Sequence, residues 1–121
     1  FTCFQFDYDW RRDIAESARR LDRFIREKEI YIRKEIEKRF GVKLDHIQFD
    51  VVAHSMGGLV ARYYLRYGVQ DLPADGSLPQ LTWEGARYIE NLVMIGPPNA
   101  GALDALLYLT QGIQPAAFFP T

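Results

Sequence analysis

The spacing of apolar residues changes several times along the chain, and each spacing predicts a different element. Residues 1–8 are rich in aromatic side chains, and Phe4, Phe6 and Tyr8 alternate with other residues, which is typical of a β-strand. From Asp13 onward, apolar residues recur at steps of three and four as far as Phe40, which predicts a long amphipathic α-helix. Asp13 suits the N-cap, and Gly41 suits the position just after the last turn.

Two later apolar runs predict strands buried in a parallel sheet. Residues 47–53 (IQFDVVA) and 91–95 (NLVMI) are short and bounded by glycine or polar residues. Residues 57–67 predict a helix that stops at Gly68, and the proline-rich residues 69–82 predict a loop. The order β-α-β-α-β indicates an α/β fold with a parallel sheet and right-handed crossovers, in one domain.

Composition adds limits to this pattern. The chain has 121 residues, of which 48% are hydrophobic and 26% charged, and its net charge of −1 gives no reason to expect a nucleic acid partner. Residues 11–43 hold 12 basic and 7 acidic side chains. Binding of anionic lipid or nucleic acid is one interpretation of that segment, and a solvated helix with i,i+4 ion pairs is the preferred one. We find no metal-ligand cluster, cofactor motif or 18-residue apolar stretch.

Residues 53–57 (AHSMG) carry the strongest chemical signal. A small-x-Ser-x-small pentapeptide between a strand and a helix is the pattern of the nucleophile elbow, in which a sharp turn presents the serine. We expect strained backbone at Ser55, and small residues at 53 and 57 because strand and helix crowd them. Ala53 departs from the usual glycine by one methyl group. The pattern predicts that Ser55 is a catalytic nucleophile.

The alternative for Ser55 is a turn serine that only caps the next helix, since serine is a favoured N-cap. That alternative leaves the adjoining pair Gly57-Gly58 and the strand before it unexplained. In the nucleophile interpretation, the backbone N–H of Met56 lies at a helix N-terminus just after the serine. It is therefore predicted to be one oxyanion-hole donor.

The residues that should assist Ser55 are not apparent in the chain. His54 adjoins the serine but is expected to point away from it, and His46 lies about 25–30 Å upstream along an extended strand. The order Ser, acid, His places the catalytic histidine, and with it the acid, beyond residue 121. Asp104 is the one late carboxylate near the sheet edge, and a solvated helix carboxylate is the preferred interpretation of it. The chain is then either part of a longer protein or a degenerate copy of the enzyme, and we expect the former.

Three segments together resemble one known family. YDWR at residues 8–11, DVVAHSMGGLVAR at 50–62 and GPPNAG at 96–101 are similar, in this order, to motifs of the lecithin:cholesterol acyltransferase-like family of α/β-hydrolases. The resemblance implies that the chain is the nucleophile-elbow half of an α/β-hydrolase domain. It also implies a Ser-Asp-His triad with Ser55 as nucleophile, the Met56 N–H as oxyanion donor and no cofactor.

The resemblance further implies a lipid or small-ester substrate and a cap or lid that starts after about residue 102. Leu103, Leu106 and Leu107 are then candidates for substrate binding, with Phe118 and Phe119 beyond them; ordinary core packing is the alternative for these residues. Peripheral contact with a membrane is compatible with such a lid. Two functions follow: acyl transfer through an acyl-serine, or a non-catalytic hydrolase-fold module that binds a lipid or a protein.

Overall fold

The computed structural model describes residues 2–112, which form a mixed α/β unit. Its helices and strands lie in the order helix, strand, helix, strand, helix, with a short 3₁₀ turn at Glu84–Arg87 before the second strand. They are α1 (Ile14–Phe40), β1 (Phe49–His54), α2 (Met56–Tyr67), β2 (Ile89–Ile95) and α3 (Leu103–Gln111).

The long helix α1 begins and ends where the sequence pattern predicts. The Asp13 carboxylate accepts a hydrogen bond from the Ala15 N–H at 2.7 Å, so Asp13 is the N-cap. Gly41 adopts the left-handed conformation (φ 65°), and its N–H donates to the Glu37 carbonyl. Of the i,i+4 pairs that the spacing predicts in this helix, Glu29–Arg33 and Glu35–Arg39 form, whereas Glu16 pairs with Arg12 rather than with Arg20.

Within residues 2–112 the sheet has two parallel strands rather than the three that the pattern predicts. β1 and β2 pair with Val52 opposite Val93 and His54 opposite Ile95. The described part of residues 1–8 is not a strand, because no described strand lies beside it to complete a hydrogen-bonded ladder. The alternation is nevertheless real: Phe6 packs against Phe24 of α1.

Only one face of the sheet is covered within residues 2–112. α2 packs against both strands and α1 packs on α2, whereas Val52, Val93 and Ile95 are all more than half exposed on the other face. The prediction that both strands are buried is therefore wrong for that face. Runs of apolar residues in a parallel sheet normally indicate cover on both sides, and the described helices supply cover on one.

The core lies where α1 meets α2 and the start of β2. Tyr64 of α2 is almost fully buried, at 1% exposure, and its hydroxyl donates to the Asp22 carboxylate at 2.9 Å. Arg26 donates to the same carboxylate at 2.8 Å. Burial and the bond to Asp22 raise the pKa of Tyr64 well above its ordinary value. The other core side chains are Ala18, Leu21, Ile25, Val60, Tyr88 and Ile89.

The 3₁₀ turn closes the far end of α2. A Cβ on Gly85 would lie 2.5 Å from the backbone of Tyr64 and of Leu65, so only glycine fits there. Among residues 2–112, no helix is long and apolar enough to span a membrane.

Candidate active site

Ser55 stands on a sharp turn between β1 and α2. Its N–H donates to the Ile95 carbonyl at 2.9 Å, which continues the ladder past the end of β1, and its own carbonyl accepts from the Gly58 N–H at 3.0 Å. Its backbone angles are φ 53° and ψ −127°, a conformation that L-residues rarely adopt. Such a residue carries strain of about 1–3 kcal/mol and is typical of active sites.

The geometry argues against a capping role for Ser55. An N-cap residue normally has β-region backbone angles, and its side chain accepts a hydrogen bond from the first turn. Ser55 has a positive φ, and its side chain makes no capping hydrogen bond. Its side chain is exposed, so the hydroxyl is open to a reactant. The turn is therefore strained without a stabilising cap, which is what a nucleophile elbow requires.

Met56 is the first residue of α2, directly after Ser55. The first N–H groups of a helix have no acceptor within the helix, and the helix dipole makes this end electropositive. The Met56 N–H therefore stands at the electropositive end of α2, one residue after Ser55. Met56 remains the predicted oxyanion-hole donor.

The glycine pair that follows has a different role from the predicted one. A Cβ at Gly57 would meet the Tyr8 hydroxyl at 3.6 Å, which is an ordinary contact. A Cβ at Gly58 would lie 2.8 Å from the Pro97 Cβ. The expectation that crowding demands a small residue at 57 is thus wrong for the described residues, and the tight position is Gly58.

Residues 96–101 form a compact loop beside the elbow. Gly96 follows Ile95, whose carbonyl binds the Ser55 N–H, so the loop begins next to the serine. The loop turns on itself, with the Asn99 N–H donating to the Pro97 carbonyl at 2.8 Å. Arg62 of α2 donates to the Asn99 side-chain oxygen at 2.7 Å. The motifs contained both residues, but their 37-residue separation gave no sign of this contact.

The segment at residues 8–11 reaches the start of α2 through Tyr8. The Tyr8 ring stacks near Phe6 and its hydroxyl faces Gly57, and burial raises the pKa of Tyr8. Arg11 binds the Asp9 carboxylate through two hydrogen bonds and so lowers the pKa of Asp9. The sequence marked this segment only as part of a motif, and the structure brings Tyr8 to the first turn of α2.

The histidines and Asp104 do not assist Ser55 in the described structure. His46 hydrogen-bonds to the Arg87 carbonyl, next to the start of β2, whereas Ser55 follows the end of β1. His54 is exposed, and Asp104 is exposed in the first turn of α3. Within residues 2–112, neither histidine forms a hydrogen bond with Ser55.

The three leucines predicted to bind substrate lie on α3 and are exposed. Leu103, Leu106 and Leu107 are 85%, 58% and 46% exposed, and no residue of α3 is buried. Core packing, the alternative for these leucines, is therefore absent from the described structure. Phe118 and Phe119 lie outside the described residues.

A shallow, open depression lies away from the elbow, between the segment before α1 and α1 itself, and it is lined by Phe6, Asp7, Arg20, Arg23, Phe24 and Glu27. In the part of the chain that the structure describes, no three His, Cys, Asp or Glu side chains come together as metal ligands.

Comparison with known proteins agrees with the motifs. The family model of lecithin:cholesterol acyltransferase matches residues 2–118, almost the whole chain. No curated protein and no solved structure gives a significant match. The residues that match the family include the elbow at residues 53–57. The chain therefore belongs to the lecithin:cholesterol acyltransferase family.

Proposed function

We propose that this chain carries the nucleophile of a serine-dependent acyl transfer on lipid or other ester substrates. Membership of the lecithin:cholesterol acyltransferase family suggests acyltransferase or lipase-like activity. The observation that carries the mechanism is Ser55 itself, an exposed serine with φ 53° on a strand-to-helix turn and without a capping bond.

In the first step, the Ser55 Oγ attacks the ester carbonyl carbon as its proton passes to a general base. The carbonyl oxygen becomes an oxyanion, which the Met56 N–H and the positive end of α2 stabilise. The tetrahedral intermediate collapses to an acyl-serine, and the leaving alcohol takes the proton. Water or a second alcohol then attacks the acyl-serine, releases the acid or the new ester and restores the Ser55 hydroxyl.

We propose that the base is a histidine and its partner a carboxylate, both outside residues 1–121. The chain would then be the elbow half of an α/β-hydrolase domain. The exposed outer face of the sheet supports this arrangement, because Val52, Val93 and Ile95 lack the cover that parallel strands normally have. In the complete domain, further strands and helices would cover this face, and α3 would begin a lid.

The lid proposal rests on α3. Leu103, Leu106 and Leu107 are apolar and exposed, and they follow the loop beside Ser55. An apolar helix in this place would cover the acyl chain of a substrate. We propose that these leucines contact it.

The test is covalent labelling of the natural protein that carries this chain with an alkyl fluorophosphonate, followed by peptide mapping. We expect the label on Ser55, and we expect Ser55→Ala to lower ester turnover by about 10³-fold or more. Ser77→Ala is the matched control, because Ser77 is an exposed loop serine bonded only to the nearby Asp75.

Labelling that persists at full rate in Ser55→Ala would contradict the proposal. A protein that binds ester or lipid vesicles but shows neither labelling nor turnover would instead be the non-catalytic module.

A further inference from the structure

The loop beside the nucleophile is tied to α2 by a contact between side chains. Arg62 donates to the Asn99 Oδ1 at 2.7 Å across 37 residues of sequence. Within residues 2–112, this is the side-chain hydrogen bond that joins the loop at 96–101 to α2. A charged donor makes such a bond stronger than a neutral one.

Gly58 and Arg62 share one face of α2, because residues four apart in a helix are neighbours. At Gly58 the missing side chain lets Pro97 approach so closely that a Cβ would lie 2.8 Å from it. At Arg62 the guanidinium holds Asn99. One ridge of the helix therefore fixes the loop at two points, one by close approach and one by a hydrogen bond.

The position of this loop matters to Ser55 because the two are joined through β2. The Ser55 N–H binds the Ile95 carbonyl, and the loop starts at the next residue, Gly96, which has φ 57°. The loop thus bounds the space beside the serine. A reacting ester must hold its carbonyl near the serine oxygen and the Met56 N–H, and small displacements of the wall reduce the fraction in that geometry.

We propose that Arg62 is a positioning residue: through Asn99 it holds the loop at 96–101 as the wall of the acyl-transfer site. This inference rests on the proposed function of Ser55. Arg62 touches no reacting atom, and its effect on the reaction passes through the loop.

The experiment is a double-mutant cycle on the natural protein, with kcat/KM for one activated ester as the readout. We expect Arg62→Ala and Asn99→Ala each to lower kcat/KM about tenfold, and the double variant to be no worse than either single variant. Asn99→Asp keeps an oxygen acceptor for Arg62 and should retain most of the activity. Arg23→Ala, at an exposed arginine of α1, is the matched control.

Two further measurements separate positioning from stability. The thermal midpoint should change little in all four single variants, whereas hydrogen exchange in residues 96–101 should be faster in Arg62→Ala and Asn99→Ala. Additive losses in the cycle, or full activity in Arg62→Ala, would overturn the proposal. Faster exchange without a change in kcat/KM would also overturn it, because the loop would then be held but would not matter to the site.

Failure of the proposed function gives a different result. If fluorophosphonate labelling and turnover do not depend on Ser55 in the parent protein, the acyl-serine mechanism fails. The proposed role of Arg62 then fails with it. If Ser55 is labelled and the cycle is additive, only the role of Arg62 fails.

Discussion

The two ends of α2 differ in almost every physical respect. At its start, Ser55 is exposed, has a positive φ and makes no capping bond. At its end, Tyr64 is 1% exposed and donates to the buried Asp22, and Gly85 lies against the backbone beside it. The first end stores strain and leaves the serine side chain exposed, whereas the second end buries Tyr64 in a packed core with its hydroxyl hydrogen-bonded.

This difference shows how one 12-residue helix can serve two purposes. A strained turn persists only when its surroundings hold it in place. The hydrogen bond from the Ser55 N–H to the Ile95 carbonyl and the burial of the second half of α2 hold this turn in place. We expect substitutions at the buried end to change stability, and substitutions at the exposed end to change chemistry.

The largest expected effect on stability is at Tyr64. Tyr64→Ala should lower the free energy of unfolding by about 3–5 kcal/mol, because it removes a large buried ring and leaves Asp22 without that hydrogen bond. Urea unfolding of the natural protein would measure this change. Tyr64→Phe keeps the ring and should cost about 1–3 kcal/mol. A loss below 1 kcal/mol for Tyr64→Ala would mean that the end of α2 is not the stable half.

The pH dependence of stability sharpens the same comparison. The pKa of Tyr64 is raised above its ordinary value of 10.0 by burial and by Asp22. The folded state binds the Tyr64 proton more tightly than the unfolded state does. The stabilisation from this difference is therefore full below pH 10 and is lost as the pH rises above it. Above pH 10, the free energy of unfolding should fall less steeply with pH in Tyr64→Phe, by up to about 1.4 kcal/mol per pH unit. Tyr31→Phe, at an exposed tyrosine of α1, is the control; equal slopes in all three proteins would contradict this assignment.

The smallest expected change in the free energy of unfolding is at Ser55, and it is a gain rather than a loss. Ser55→Gly should raise the free energy of unfolding by about 1 kcal/mol, because glycine accepts a positive φ without strain but is more flexible when unfolded. Ester turnover should be lost in the same variant. Ser55→Ala provides the control, since alanine loses the hydroxyl but keeps the strain. If glycine and alanine change stability equally, the strain at the elbow is absent.

Local signals predicted the parts of the fold that depend on neighbours in sequence. The bounds of α1 followed from its period and from the caps at Asp13 and Gly41, and the turn at Ser55 followed from a five-residue pattern. The predicted first strand is wrong because a strand needs a partner, which a single segment cannot specify. The prediction that both faces of the sheet are buried is wrong for residues 2–112 for a similar reason, since cover depends on elements distant in sequence.

The candidate site shows the same division. The nucleophile was predicted from residues 53–57, but the bond between Arg62 and Asn99 joins residues 37 apart, and no short pattern encodes it. The steric limit at Gly58 was likewise hidden, because it depends on how closely Pro97 approaches. Spacing predicts the candidate nucleophile, whereas the contacts around it become visible only in three dimensions.

The most direct test of the exposed end of α2 is to trap the acyl-serine with a substrate. The natural protein would be mixed with an activated long-chain ester, quenched in acid and digested, and the acylated residue would be located by mass spectrometry. We expect one acyl group on Ser55 and none in Ser55→Ala. Turnover without acylation of Ser55, or an acyl group at another residue that persists in Ser55→Ala, would contradict it.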